Sequence, residues 1–480
     1  MKLGEIVNTL GSEARGRAEA GGREVVGYSI DSRTVREGEV FFAIRGEIHD
    51  GHRFVGDALK KGAAAAIVSR EFLQSDAAGR INPSEATLVA VPDTLRALQS
   101  LASSVLARWR GREVAVTGSM GKTTTKEMTA SALAKAGRVI KTAGNLNNDY
   151  GLPLSVLKME SDGSHASDFD YAVFEMGMNH RGEIARLTQI APPDFGIVTI
   201  VAPVHLEFFS SVEEIALAKA EMVEGVKRGG AAALNADDEL VSRMRELRDD
   251  ISFRTFGIER PADVRAAEIK ADGFNGSRFK LVTPRGEVEA RLPVAGRHNV
   301  YNALAAAAVA DFYETPLEQI AAAIGEVSSA KMRGEVLRFR QGITVVDDSY
   351  NSNPRALAEM VTTVCADREC RRRVVVAGEM LELGAGAAQL HREAGRNIAR
   401  LGIDLLIGVR GLAEEIVAGA REAGMSASSA VFCETPDEAA DALAREARPG
   451  DLILVKGSRG VKTEIVIERM KQKWGPEAGA

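Results

Sequence analysis

Short apolar runs alternate with helical stretches almost from end to end of the chain. The runs at 114–116, 171–174, 196–201, 343–346, 374–377, 405–409 and 452–455 show little polar alternation. Such runs predict strands buried on both faces of a parallel sheet. Between them, residues 356–363 and 387–400 have helical composition and spacing. Strand and helix in alternation predict an α/β protein of the doubly wound type. Segment 251–295 departs from this pattern. Its SRFKLVTPRGEVEARLPV stretch alternates apolar and polar, which predicts a β-hairpin excursion. The polar stretch 74–86 reads as a linker, and SSAKMRG at 328–334 separates a helix from a new strand series. These breaks predict domains over 1–84, 85–329 and 330–480.

The length of 480 residues agrees with about three domains at about 150 residues each. The 61 Lys and Arg against 67 Asp and Glu leave a net charge of −6. There is no basic excess of the kind that nucleic acid or a membrane surface requires. The three cysteines, Cys365, Cys370 and Cys433, are odd in number and form no CxxC pair, so reduced thiols are expected. No apolar run reaches the roughly 18 residues of a membrane span. The first residues, MKLGEIVNTLGSEARG, lack the apolar stretch of a secretory leader. A cytoplasmic protein is expected.

The sharpest local signal follows the apolar run at 114–116. Gly118-Ser119-Met120-Gly121-Lys122-Thr123-Thr124 precedes a stretch of helical composition at 125–136. Glycines let the backbone turn its N–H groups toward phosphate oxygens, and the helix N-terminus adds its positive end. Lys122 would reach the terminal phosphates and the Thr123 hydroxyl would hold Mg²⁺. The spacing is a shortened form of GxxxxGK[ST], with Val116 in the place of the first glycine.

Other residues gain meaning only beside this loop. Glu175 ends a buried strand, where a parallel sheet faces its ligand crevice; a capping or ion-paired carboxylate would occupy the same place. His205 leaves the next strand at the same edge, as a ligand or as an ordinary loop histidine. Lys219 lies four residues after Ile215 and three before Met222, on the apolar face of a helix begun by Ser211. A free ammonium there is costly unless it is modified, paired or snorkelling. Asn299 and Asn302 share one face at the start of a helix, suited either to capping or to a base edge.

Together, and in this order, these motifs resemble the Mur ligase family, the ATP-dependent amide-forming enzymes of peptidoglycan precursor synthesis. The series is GSMGKTTTKE, NLNNDYGLP, Glu175, His205, Lys219, HNVYN, Arg333 in KMRGE, and DDSYNSNP. It spans nearly the whole chain. The resemblance implies a small N-terminal α/β domain for a uridine nucleotide, UDP-MurNAc. It also implies a central phosphate-loop domain with a parallel sheet, and a Rossmann-like C-terminal α/β domain that closes on ATP and binds the incoming dipeptide. It implies that Gly118, Ser119, Gly121, Lys122, Thr123 and Thr124 hold the phosphates. Asn299 and Asn302 would meet adenine, with Arg333 and Asp348 as further nucleotide contacts. Two Mg²⁺ ions are implied, on Thr123 and on Glu175 and His205, faced by a carbamylated Lys219. Lys122, Glu175, His205, Lys219 and Arg333 would form the catalytic set.

Segment 29–54, SIDSRTVREGEVFFAIRGEIHDGHRF, resembles the family's uridine-nucleotide domain. Ser29, Asp31, Ser32, Arg33, Arg45, His49 and Asp50 would bind substrate there, with Asn145, Asn148, Tyr350 and Asn351 as further substrate-binding residues. DDSYNSNP, GEMLELG with His391, and KGSR resemble the branch that adds D-Ala-D-Ala rather than a single amino acid. The implied reaction joins D-Ala-D-Ala to UDP-N-acetylmuramoyl-tripeptide, with ATP, on a monomer, without nucleic acid or membrane. An amino-acid-adding or folate-type ligase of the same superfamily, or a non-catalytic ATP binder, are the alternatives. Around His205, Ala202, Val204 and Phe208 replace the leading Gly, an Ala and a second His of the family's GPAHLEHFG-like segment. Glu379 stands where Asp is usual, and Thr463 where Met commonly follows KGSR.

Overall fold

The computed structural model describes residues 1–475 except 13, 16–19, 47, 80, 83–85 and 205. Within these residues the chain forms three sheets, each flanked by helices. The first has five strands in the order Ala14–Arg15, Leu88–Val91, Ala65–Ser69, Glu39–Phe42 and Gly27–Ser29, all parallel except the first. The boundary expected at 84 falls on residues outside those described; the strand Leu88–Val91 that follows it pairs within this sheet.

The central sheet has nine strands. Within it Arg112–Thr117 is flanked in parallel by Phe195–Val198 on one side and Tyr171–Glu175 on the other. These strands are almost wholly buried, as runs without polar alternation predict. The excursion over 251–295 is more than a hairpin. Ser252–Gly257 and then Val264–Ala271 join the sheet in parallel, and Ser277–Thr283 and Gly286–Leu292 extend its edge antiparallel. The third sheet runs Glu335–Phe339, Ile343–Asp348, Asp451–Lys456, Arg372–Gly378, Leu405–Val409 and Ala430–Cys433, and only its first strand is antiparallel. The α/β class and the organisation into three α/β domains expected from the pattern are both present.

Two helices set the floor of the crevice. Lys122–Leu133 starts three residues before its expected beginning, because Gly121 turns the chain into it at φ 79°. Arg297–Phe312 packs along it. Ala303 and Ala305–Ala308 are fully buried there. Small side chains let the two helices approach closely, and Thr125 Oγ1 donates to Asn302 Oδ1 at 3.1 Å between them. The expected helix at 303–310 thus begins six residues earlier, which draws Asn299 and Asn302 inside it. Among the described residues, no helix is long and apolar enough to cross a membrane.

Candidate active site

Parallel sheets bind ligands beyond the carboxyl ends of their strands, where neighbouring connections diverge. Arg112–Thr117 is such a point, with Val116 in register with both Glu175 and Ile197. A cleft of about 1700 Å³ opens here, between the central and third sheets. The third sheet presents Asp348 and Lys456, themselves in register, toward the same space. The two domains touch at its rim. The Glu207 N–H lies 3.4 Å from Glu382 O, and His298 Nδ1 lies 3.6 Å from Glu359 Oε2.

The loop after the strand is shaped by two glycines. Gly118 has φ 147°, and a Cβ there would lie 1.8 Å from Thr199 Oγ1; Gly121 has φ 79°, and a Cβ would lie 2.3 Å from Asn302 Oδ1. The loop is tied down from beyond. Ser119 N–H donates to Ile200 O at 2.8 Å, and Thr199 Oγ1 donates to Met120 O at 2.6 Å. Ser119 Oγ accepts from Ala202 N–H at 2.9 Å. Lys122 Nζ donates to Gly118 O at 2.7 Å, across the loop. Thr124 also lines the cleft. Burial lowers the Lys122 pKa; the nearby Glu175 carboxylate opposes this, and Arg333 adds to it.

Glu175 is buried at the strand end. One carboxylate oxygen accepts from Thr123 Oγ1 at 2.8 Å, and the other accepts from Asn147 Nδ2 at 2.8 Å. Its own N–H donates to Thr142 Oγ1. A carboxylate and a hydroxyl facing one another are hard oxygen donors of the kind Mg²⁺ takes, with phosphate oxygens and water completing its shell. Among the described residues no three His, Cys, Asp or Glu side chains gather as a protein-only metal cage. His205 lies outside the described residues. Its neighbour Val204 lines the cleft, and Leu206 O lies 2.8 Å from where a Cβ of Gly384 would be.

Lys219 does not line the cleft. It is buried in the helix Val212–Glu224, whose start is capped by Ser211 Oγ. Burial pushes its pKa far below that of a free lysine, and the charge of Lys122 pushes the same way. Asn302 Nδ2 donates to Asn299 Oδ1 at 3.0 Å, and Asn299 Nδ2 donates to Ala295 O at 2.6 Å. The two amides therefore orient one another beside the phosphate-loop helix and line the cleft.

From the third domain, the Arg333 guanidinium stacks 3.9 Å from the centre of the Tyr350 ring. Asp348 Oδ2 accepts from the buried Lys456 Nζ at 2.6 Å, which also donates to Asn351 O at 2.8 Å. Arg333, Asp348, Tyr350 and Asn351 all reach the cleft, as does Asn145. Asn148 is instead a turn residue, its Oδ1 accepting from Gly151 N–H.

The donor-domain candidates lie apart from this cleft, on the first sheet and its loops. Asp31 Oδ2 binds Arg33 at 2.7 Å, and those hydrogen bonds bring its carboxyl down to about 2. Ser29 Oγ accepts from Asp31 N–H, and Ser32 O accepts from Lys61 Nζ. Arg45 lies 3.4 Å from Asp50, beside an exposed His49. Asp50 also accepts from His52 Nδ1 at 2.6 Å and caps the short turn that follows.

Sequence reasoning missed Asn147, which stands inside the quoted NLNND motif; only the chain's return beside Glu175 singles it out from Asn145 and Asn148. It also missed Thr199, and Asp237, which gathers the N–H groups of Ile258, Glu259 and Arg260 and the Tyr301 hydroxyl. No local motif marks either.

Comparison with known proteins agrees with this architecture. Residues 24–105 match the Mur ligase family catalytic domain, 116–310 the Mur ligase middle domain, and 332–459 the Mur ligase glutamate ligase domain. The UDP-N-acetylmuramoyl-tripeptide–D-alanyl-D-alanine ligase of Escherichia coli is 34% identical over 92% of this chain and 93% of its own. The Bacillus subtilis ligase of the same name is 32% identical, over 92% of both chains. A crystal structure of MurF from Acinetobacter baumannii superposes with a TM-score of 0.84 at 29% identity, covering 98% of this chain and 99% of that one. The Thermotoga maritima MurF ligase in complex with ADP gives 0.76 at 28% identity, covering 93% and 97%. The chain belongs to the Mur ligase family.

Proposed function

We propose that this chain is the ATP-dependent ligase that joins D-Ala-D-Ala to UDP-N-acetylmuramoyl-tripeptide, giving the pentapeptide, ADP and phosphate. The full-length likeness to ligases of that name carries the reading, and the cleft shared by the phosphate loop and the third domain gives it a site. The ADP complex of the Thermotoga relative supports ATP as the nucleotide.

A carboxylate resists attack by an amine until it gains a leaving group. The tripeptide carboxylate attacks the γ-phosphorus of ATP; ADP leaves and an acyl phosphate forms. The dipeptide amine then attacks the acyl carbon, loses a proton, and phosphate departs. The first step brings anions together, so it needs cations held in place. Lys122 and Arg333 supply them from the two domains, and the N–H groups of the phosphate loop add to them. Asn299 and Asn302 suit the adenine edge, and Asp348, held by Lys456, suits the ribose side. The third domain over the cleft excludes water that would hydrolyse the acyl phosphate.

Thr123 and Glu175 fit Mg²⁺, and His205 is assigned with them. When bound, Mg²⁺ supplies charge neutralisation at the phosphates. A lysine reacts with CO₂ only as the neutral amine, losing a proton to give a carbamate. The depressed pKa of Lys219 favours that form, and a carbamate would turn a buried cation into an anion. The first domain, through Ser29 to Asp50, is assigned to the uridine nucleotide. ATP and a nucleotide-linked donor as co-substrates support a cytoplasmic setting. Glu175→Ala and His205→Ala should each lose turnover while keeping the far-UV and near-UV circular dichroism of the parent. Parental rates in either would remove that residue from the site.

A further inference from the structure

The acceptor dipeptide is a zwitterion with two methyl side chains. Its amine must reach an acyl carbon beside Lys122 and Arg333. An extended dipeptide is about 7 Å long, so a group for its carboxylate must stand about that far away, on the wall of the same cleft.

Most cations of the cleft are already engaged. Lys456 is held by Asp348. Arg297 and Arg355 pair with Glu259 and Glu359, which line the cleft themselves. Arg260 belongs to the other end, where its backbone N–H donates to the Asp237 carboxylate that also accepts from Tyr301. Arg459 differs. It lines the cleft with its side chain 59% exposed, and its Nη1 lies 3.6 Å from the sulfur of Met332, the neighbour of Arg333. Its carboxylate partner, Glu464 at 2.7 Å, stands outside the lining and braces it from behind.

Beside it lies an apolar seat. Leu381 is 42% exposed, an uncommon state for a leucine in a polar cleft. Its N–H donates to Ser458 Oγ at 2.9 Å, which fixes the loop against the Arg459 segment. Its Cδ1 lies 3.0 Å from where a Cβ of Gly460 would stand. A guanidinium, an exposed leucine and a bare glycine thus adjoin at the third-domain wall.

We propose that Arg459 receives the C-terminal carboxylate of the acceptor dipeptide, and that Leu381 and Gly460 seat the methyl of its last residue. A guanidinium can take a carboxylate in two parallel hydrogen bonds. The inference rests on D-Ala-D-Ala being the acceptor.

The test compares D-Ala-D-Ala with its C-terminal amide, at saturating ATP and UDP-MurNAc-tripeptide, through kcat/KM. The parent should prefer the acid by roughly 100-fold, the scale on which an unpaired polar group in a specific site is rejected. Arg459→Ala should lose about that factor on the acid, little on the amide, and leave KM for ATP unchanged; Arg459→Lys should keep part of the preference. Gly460→Ala should move preference from D-Ala-D-Ala toward D-Ala-Gly. If Arg459→Ala retains the acid preference, or raises KM for ATP as much as for the dipeptide, the assignment falls while the ligase reading stands. If the parent turns over neither acceptor, the ligase reading falls and takes the assignment with it.

Discussion

Glu113, at the opposite end of the strand Arg112–Thr117 from the site, offers a quantitative test of the packing. It is 1% exposed, and its Oε1 has no hydrogen-bond partner. Burial pushes its carboxyl up from 4.5 to about 8; the nearby Asp194 adds to the rise and Lys227 opposes it. Replacing it by Gln keeps the shape and removes the ionisation. Below pH 4.5 the folded and unfolded chains both hold the proton, and the acid costs nothing. As the pH rises from 4.5 toward 8, the unfolded chain ionises while the folded one stays protonated. Stability from this group is therefore present at low pH and lost as pH rises through the folded value. A tenfold gap in acid strength is worth about 1.4 kcal/mol, so the gap from 4.5 to about 8 amounts to about 5 kcal/mol at its limit. The chain has two tryptophans. In a Trp474→Phe background, Trp109, in the same segment as Glu113, reports on the central domain. Urea unfolding at pH 5 and pH 8 should show Glu113→Gln gaining on its parent by about 3.5 kcal/mol between the two. An equal effect of the substitution at both values would refute the buried, protonated carboxyl.

Three further outcomes are expected. Gly121→Ala forces a side chain into a left-handed backbone conformation at about 1–2 kcal/mol and into Asn302 Oδ1; KM for ATP should rise about tenfold or more, and an unchanged KM would discount the glycine's role. Lys219→Ala should lose turnover and regain part of it with added short-chain carboxylates, whereas full activity without them would sink the carbamate. His391 accepts from Met380 N–H at Nε2 and bonds Ala387 O through Nδ1, and burial lowers its pKa. Its neutral form contributes stability above about pH 6.5 that is lost as pH falls through the lowered value. His391→Ala should cost about 2–4 kcal/mol at pH 8 and flatten that acid dependence, read by Trp474 fluorescence in a Trp109→Phe background; an unaltered acid limb would contradict it.

The parts of the fold that local pattern controls were legible in the sequence. Strands such as Leu405–Val409 and the helix Ala387–Arg400 follow from unbroken apolar runs and helical spacing alone. The phosphate loop was legible because its glycines, lysine and threonine are contiguous. Contacts made by chain return were not. Asn147 meets Glu175 only because the loop after Val139–Lys141 crosses the strand end, and Thr199 grips Met120 from a different strand connection. The odd position of Lys219 on an apolar face was visible, but its proximity to Lys122 is a property of the fold. His391 shows the reverse case. It lies near a motif, yet both ring nitrogens serve the backbone of its own domain.

The central claim is a ligase whose third domain and phosphate loop act on two specific peptide substrates. Its most direct test is ADP release across a panel of donors and acceptors, with the peptide product identified by mass. The account predicts one ADP per pentapeptide formed, only when UDP-MurNAc-tripeptide and D-Ala-D-Ala are both present. Turnover of a single amino acid on the dipeptide nucleotide, or ADP release indifferent to the acceptor, would contradict it.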